Sequence, residues 1–448
     1  MTEQEIGLLI VTLGAFICIV HVLGYIFERL RQPRLVGEIL AGILLGPFVL
    51  GKISPEASDF LFANPSLGAD KIKLILGFVY WMGLLLLMFS SGSQIRRLFS
   101  QENRRETAWI LGVGTPLPFL LVMVLGLTSL LPLEPLTGEK NVPLATLLIL
   151  SSAVAVTSIP VISRIFNDLG ILHTRFASLI LGAAVLEDIA LWGVLAVATA
   201  LTQQNVLNDQ NLVGSTSMHL VITLIYMVAA LVVMPTILRA MRRNKYNVLY
   251  RASRIAYAVV IMFAYVGIAA YFSVNLVFAA FLAGFGLAGG VTGSDRPYFT
   301  EALDAISKFT FAIFTPIYFA LVGYRLVFGR EFSLVMLLLF LVGSSLVTMV
   351  FRSLAAKFAG FNRLDMINIA VTSNARGGPG IVMASVAYDA GIISAAFYTT
   401  LVLTAIFTSQ AAGLWLSYVL GKGWPLLSTD PDDKQMSPDK APQAAQLH

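Results

Sequence analysis

Glu187 and Asp188 stand side by side in ASLILGAAVLEDIALWGVLAVATAL, an apolar stretch from 177 to 201. About 20 residues of helix cross a bilayer, so this stretch is long enough to span one. An ionised carboxylate near the bilayer centre costs about 2.5 to 3.5 kcal/mol even on translocon-insertion scales, so an acid retained there marks a functional site. The pair lies about twelve residues, or about 18 Å, from the start of its helix, near mid-membrane depth. Adjacent helical residues point about 100° apart, so one acid is expected to carry an ion while the other is paired. Burial disfavours the charged form of a carboxyl group, which makes a proton and a small cation competitors for Asp188. Such competition at a site that faces the two sides in turn is the chemistry of antiport. Glu187 is expected to tune or share that role.

Two other segments are built to hold ions at the same depth. In LLILSSAVAVTSIPVISRIF, from 147 to 166, Pro160 lacks an N–H and Thr157 and Ser158 supply polar groups beside the expected break. In INIAVTSNARGGPGIVMASVA, from 367 to 387, Asn374, Arg376, Gly377, Gly378, Pro379 and Gly380 fall close together, which is poor helix material. Counted as spans, the two segments are seven apart, and an odd offset sends them through the membrane in opposite directions. Paired interruptions in two inverted halves point to a transporter's midplane site, where half-helix ends and freed carbonyls meet an ion. Arg376 is the expected countercharge to an acid or to the carbonyl ends of the unwound segment. The bland alternative is that both acids only lock helices together through Arg376.

The remainder of the chain must supply the membrane scaffold. Of 448 residues, 57% are hydrophobic and 12% charged, and the mean hydropathy is +0.81. That composition excludes a soluble protein of this size and implies an all-α polytopic membrane protein with about 13 transmembrane helices and inverted repeats. The first apolar run follows acidic MTEQE and precedes Arg29, Arg31 and Arg34, so it reads as an uncleaved helix. Alternating the loops puts 23 Lys and Arg residues on one side, 352 to 363 included, and six on the other. The positive-inside rule then places the N-terminus outside and the C-terminus in the cytoplasm, in the plasma or inner membrane. The basic pI follows from those loops facing anionic lipid, and nucleic acid is not implied. Cys18 is the only cysteine, so no internal disulfide forms. Residues 422–448 read as a short, disordered cytoplasmic tail after a transmembrane domain over 1–421. Gly42, Gly46 and FLAGFGLAGG from 281 read as close helix packing. Glu38 reads as a local partner of Arg34, and His21 and Asp389 as interfacial or locally satisfied.

These residues carry a resemblance. QPRLVGEILAGILLGP at 32–47, LLLLMFSSG at 84–92, SAVAVTSIPVISRIFNDLGIL at 152–172 with the acid pair after it, and IFTPIYFALVG at 313–323 together resemble the cation:proton antiporter superfamily. The similarity is strongest to its monovalent cation:proton antiporter-2 branch, which includes Kef-type and plant cation/H exchanger proteins. It implies two crossing broken helices and a homodimer. It also implies core helices at about 72–202 and 308–420, with dimerisation helices at about 6–51 and 218–291. By the same resemblance Asp188 falls on the ion-carrying aspartate. Thr157, Ser158 and Pro160 fall on the first crossover, and Asn374, Arg376, Gly377 and Gly378 on the second, beside Pro379. The residue before the aspartate is commonly Asp, Asn or Gln in relatives and here is Glu187, which leaves stoichiometry open. The expected function is exchange of Na⁺ or K⁺ for protons by alternating access, without cofactor and without enzymatic chemistry. A proton-independent cation channel is the alternative. An intramembrane enzyme is disfavoured, since the sequence has no HEXXH and no plausible Ser and His pairing.

Overall fold

The computed structural model describes residues 2–30, 32–62, 69–95, 104–172, 174–202, 212–244, 246–288, 296–329 and 332–428. Helices dominate them, and no strand occurs among them apart from an isolated bridge between Thr137 and Ile393. Ten described helices are long and apolar enough to cross a bilayer, and Pro143–Ala155 and Leu276–Ala288 are shorter apolar helices. Length alone does not reproduce a count of thirteen. The expected spans at 144–165 and 366–387 are each split into two short helices, because both contain a real break in the backbone ladder.

The chain divides into two compact units, one formed by 1–97 and 203–332 and the other by 98–202 and 333–448. In chain order, α1 (Glu3–Arg29), α2 (Arg34–Leu45) and α3 (Ala69–Ile95) belong to the first unit. The second unit takes α4 (Arg104–Gly114), α5 (Pro116–Leu127), α6 (Pro143–Ala155), α7 (Ile159–Asp168) and α8 (Arg175–Thr202). The chain then returns to the first unit with α9 (Leu212–Val228), α10 (Met234–Arg243), α11 (Arg254–Tyr271), α12 (Leu276–Ala288), α13 (Arg296–Phe309) and α14 (Thr315–Tyr324). Four helices complete the second unit: α15 (Leu334–Ala359), α16 (Arg363–Ser373), α17 (Gly377–Asp389) and α18 (Ala395–Gly421). The expected core differs from this grouping, since 72–91 and 308–327 lie in the first unit.

Within the first unit, glycines let backbones touch. A Cβ on Gly42 would run into the carbonyl of Ala320, and one on Gly323 into that of Ile39. A Cβ on Gly92 would likewise meet the carbonyl of Phe281, and one on Gly284 that of Phe89. The contacts are reciprocal in both pairs, each glycine meeting the carbonyl one turn before its partner glycine. α2 and α3 follow α1 as α12 and α13–α14 follow α11, so exchanging the halves maps the α2–α14 contact onto the α3–α12 contact. Two-fold repetition of this kind is what an inverted repeat produces, and small residues at the crossing points are how membrane helices approach closely. In the same unit Arg34 forms an ion pair with Glu38 at 3.2 Å and also meets His21, so the Glu38 and His21 side chains both have a local partner, as the sequence suggests.

The second unit consists of two sets of three, α4–α5 with α6/α7 and α8, then α15 with α16/α17 and α18. The middle member of each set is the broken one. The segment after α18 is not free of structure. Leu426 and Leu427 are fully buried, and Ser428 donates from its backbone N–H and its hydroxyl to Asp365 at 2.8 and 3.0 Å. Asn368 on α16 donates to the Leu426 carbonyl at 3.1 Å. The start of the expected disordered tail is therefore packed, because two leucines and a turn of satisfied backbone offset the cost of ordering it. Residues 429–448 lie outside the described residues, as do Arg31, Arg96, Arg97, Lys245 and Arg330 of the basic set.

Candidate functional site

The site lies wholly in the second unit, where α6 and α16 both stop in mid-course. α6 ends at Ala155, and Val156 and Ser158 are extended before α7 starts at Ile159. Pro160 stands in the first turn of α7, where its missing N–H would have had no partner in any case. α16 ends at Ser373, and α17 begins at Gly377. The second break is narrower than the sequence suggests. Only 374–376 leave the helix, while Gly377, Gly378, Pro379 and Gly380 form the first turn of α17, where a helix tolerates residues without a bonded N–H.

The two breaks bond directly to each other. The Ser158 N–H donates to the Ala375 carbonyl at 2.7 Å, and the Thr157 hydroxyl donates to the Ser373 carbonyl at 2.8 Å. Gly377 has φ of +30°, and a Cβ there would lie 2.5 Å from Ser158 Oγ and 2.8 Å from Val161 Cβ. Both the backbone angle and the close approach require glycine at this position. The Gly377 N–H is bonded to Ser409 Oγ at 3.2 Å, and the Arg376 N–H to Thr408 Oγ1 at 3.4 Å, so α18 caps the restart of the helix.

The acids occupy the middle of α8. Glu187 is 0% exposed and Asp188 3% exposed, yet their surroundings differ completely. Glu187 is held bidentately by Arg352 of α15, Nη1 to Oε1 and Nη2 to Oε2, the latter at 2.8 Å. Arg352, 1% exposed, also donates from Nη2 to Thr157 Oγ1 at 3.0 Å and to the Ala155 carbonyl at 3.2 Å. One guanidinium thus neutralises Glu187 and meets the negative C-terminal end of α6. Alternation of the loops assigns Arg352 to a cytoplasmic loop, whereas it lies within α15 and is buried in the unit. A signal existed in the spacing of Ser344, Thr348 and Arg352, which at intervals of four form one polar stripe on an apolar helix.

Arg376 is not the countercharge to either acid. It is 2% exposed and donates to Ser344 Oγ at 2.7 Å, Thr348 Oγ1 at 3.4 Å and Asn374 Oδ1 at 3.5 Å, with its guanidinium 5.5 Å from the Phe340 ring centroid. Its neighbours are hydroxyls, an amide and a ring because it stands at the C-terminal end of α16, whose dipole supplies the compensating negative potential. The reading in which both acids lock helices through Arg376 therefore has no counterpart in the structure. Asp188 has the opposite character, since its Oδ1 is buried and has no hydrogen-bond partner. It lines a narrow cavity with Val156, Leu191, Trp192, Pro379 and Met383. Val156 comes from the first break and Pro379 from the turn after the second, so both interrupted segments supply wall to the cavity that holds this carboxyl group. Ser158 Oγ, also buried, is likewise without a partner.

Residues 13–422 match the model of the family described as sodium/hydrogen exchanger, transmembrane. Among curated relatives, the chain is 24% identical over 415 residues to the Na(+)/H(+) antiporter NhaS4 of Synechocystis, covering 91% of this chain and 96% of that one. It is 24% identical over 403 residues to the Na(+)/H(+)-K(+) antiporter GerN of Bacillus cereus, covering 89% and 92%. Identity to the K(+)/H(+) antiporter 1 of Saccharomyces cerevisiae is 26% over 399 residues, 86% of this chain but 43% of that one. The fold is similar to the solved structure of the sodium proton antiporter MjNhaP1 from Methanocaldococcus jannaschii, with a TM-score of 0.59, 14% identity and coverage of 93% of this chain and 99% of that chain.

Proposed function

The chain belongs to the sodium/hydrogen exchanger transmembrane family, and on that premise we propose that Asp188 is the group on which protons and a monovalent cation exclude each other. The protein is a multi-pass integral membrane protein that exchanges a monovalent cation for protons. The observation that carries the site assignment is the contrast within the acid pair. Glu187 is neutralised by Arg352, whereas Asp188 keeps an unpartnered carboxyl oxygen in a cavity walled by both breaks. A buried carboxylate with no ion pair must take up either a proton or a cation, because a bare charge in that setting is too costly. Each species therefore displaces the other, and a rocking motion that changes access converts displacement into exchange. Glu187 tunes the site through its fixed pair with Arg352, and Thr157, Ser158, Asn374, Arg376 and the Gly377–Pro379 turn hold the breaks in place. Relatives are named for sodium and for potassium, and the proposal covers either cation.

A proton-independent channel has no support, since the matching family and the relatives quoted are named as exchangers or antiporters. We further propose the plasma or inner membrane, with the N-terminus outside. With Arg352 moved into a span, 22 basic residues still face six across the two sides. Homodimerisation through 6–51 and 218–291 follows from the resemblance and is checked by native mass spectrometry in detergent.

The test is dissipation of an imposed pH gradient in proteoliposomes on addition of Na⁺, K⁺ or Li⁺. Exchange predicts proton movement opposite to, and dependent on, cation movement for at least one of them. Cation flux with no reciprocal proton movement would refute it.

A further inference from the structure

The stripe on α15 does more than carry Arg352. Thr348, one turn earlier, is fully buried and touches both interrupted helices. Its hydroxyl lies 2.7 Å from the carbonyl of Val154 in the last turn of α6, and 2.8 Å from the carbonyl of Ser344 in its own helix. Its oxygen also accepts from Arg376 Nη2 at 3.4 Å. Carbonyls in the last turn of a helix have no partner within the helix, so Val154 depends on Thr348 as Ala155 depends on Arg352. Thr348 thereby joins the end of α6, two residues before the cavity-lining Val156, to Arg376, three residues before the cavity-lining Pro379.

A hydroxyl carries one proton, yet two carbonyls stand within reach of this one. Donation to Val154 ties α15 to the first break, and donation to Ser344 is the back-bond that threonines make within helices. Shifting between them breaks the tie without leaving the hydroxyl proton unsatisfied, so the cost of release falls on the Val154 carbonyl alone and is smaller than when donor and acceptor are both stranded. We propose that Thr348 is a positioning residue for the cation site, a releasable latch that holds the two cavity walls in register when its hydroxyl donates to the Val154 carbonyl and frees them when it donates to the Ser344 carbonyl.

This inference rests on the reading of Asp188 as the exchange site. Because the latch sets the bound geometry and opens during turnover, its loss weakens cation binding more than it slows the saturated rate. The test compares wild type with Thr348→Val, which keeps the shape and removes the hydroxyl, and Thr348→Ser, which restores it. Two readouts are taken with K⁺ and Na⁺, the apparent Kd from cation-dependent thermal stabilisation of purified protein and the apparent KM and maximal rate of exchange.

For Thr348→Val the expected result is about a tenfold rise in Kd and KM, the equivalent of one hydrogen bond, with a maximal rate within about twofold of wild type. Thr348→Ser should return all three to within about twofold. Wild-type affinity in Thr348→Val would overturn the latch, as would Thr348→Ser failing as badly as Thr348→Val. If both Thr348→Val and Thr348→Ala fail to fold, the hydroxyl is a structural requirement and the latch is overturned. A wild type that binds the cation but moves no protons refutes the exchange reading and leaves the latch to be judged on Kd; a wild type that does neither overturns both.

Discussion

Asp188→Asn is expected to reduce cation-driven proton movement to the leak of protein-free vesicles while leaving the protein folded. The asparagine amide is nearly isosteric with the carboxyl group and removes the only property the proposal requires, a side chain that can be either protonated or negatively charged. Asp188 Oδ1 has no protein partner to lose, and a neutral amide in a cavity lined otherwise by apolar side chains involves no buried charge. Unchanged thermal unfolding together with lost exchange is therefore the predicted combination. Exchange at the wild-type rate in Asp188→Asn would show that the carrier is elsewhere. If Asp188→Asn were active and Glu187→Gln dead, the roles of the two acids would be reversed.

The second large effect concerns stability. Arg352→Leu leaves Glu187 as an uncompensated charge at 0% exposure, and Glu187→Leu strands Arg352 at 1% exposure. Breaking a buried pair from one side costs about 3 to 5 kcal/mol, whereas replacing both partners with apolar groups is often neutral. Each single substitution is therefore expected to lower stability by about that amount, and the double substitution to recover much of it. Recovery will be incomplete, because Arg352 also bonds Thr157 and the Ala155 carbonyl and the double variant leaves both without that donor. Thermal unfolding of the four proteins in one detergent gives the coupling directly. Additive losses in the double variant would mean that the pair is not coupled as its geometry implies.

Much of the site is legible in the amino-acid sequence because its signals are violations of membrane chemistry. Two acids at the centre of an apolar run, Pro160 after Thr157 and Ser158, and the run from Asn374 to Gly380 each break a rule that a plain spanning helix obeys. Gly42 and Gly284 are legible as packing for a similar reason, since a small residue on a lipid-immersed helix has value mainly at a crossing, whereas their partners Gly323 and Gly92 emerge only from the contacts. Arg352 was hidden because it stands near the end of an apolar run, where a hydropathy reading assigns any base to a loop. Its inward direction is encoded by the four-residue spacing from Ser344 and Thr348, a periodicity signal weaker than hydropathy. The contrast between Glu187 and Asp188 was legible as a necessity, because neighbours on a helix cannot face the same way, but the identity of the partner was not. The grouping of 72–91 and 308–327 with the first unit depends on which glycine meets which carbonyl across hundreds of residues, and no local pattern carries that. The packing of 422–428 escaped because its polar, Pro-containing composition outweighed the pair Leu426 and Leu427.

The central claim is that one carboxyl group holds either a proton or a cation. Its most direct test needs no membrane: K⁺ or Na⁺ is added to purified, weakly buffered protein and proton release is measured, for wild type and for Asp188→Asn. The account predicts release of about one proton per chain from wild type, as expected for a single ligand that must deprotonate to bind a cation, and none from Asp188→Asn. Undiminished proton release from Asp188→Asn would contradict it.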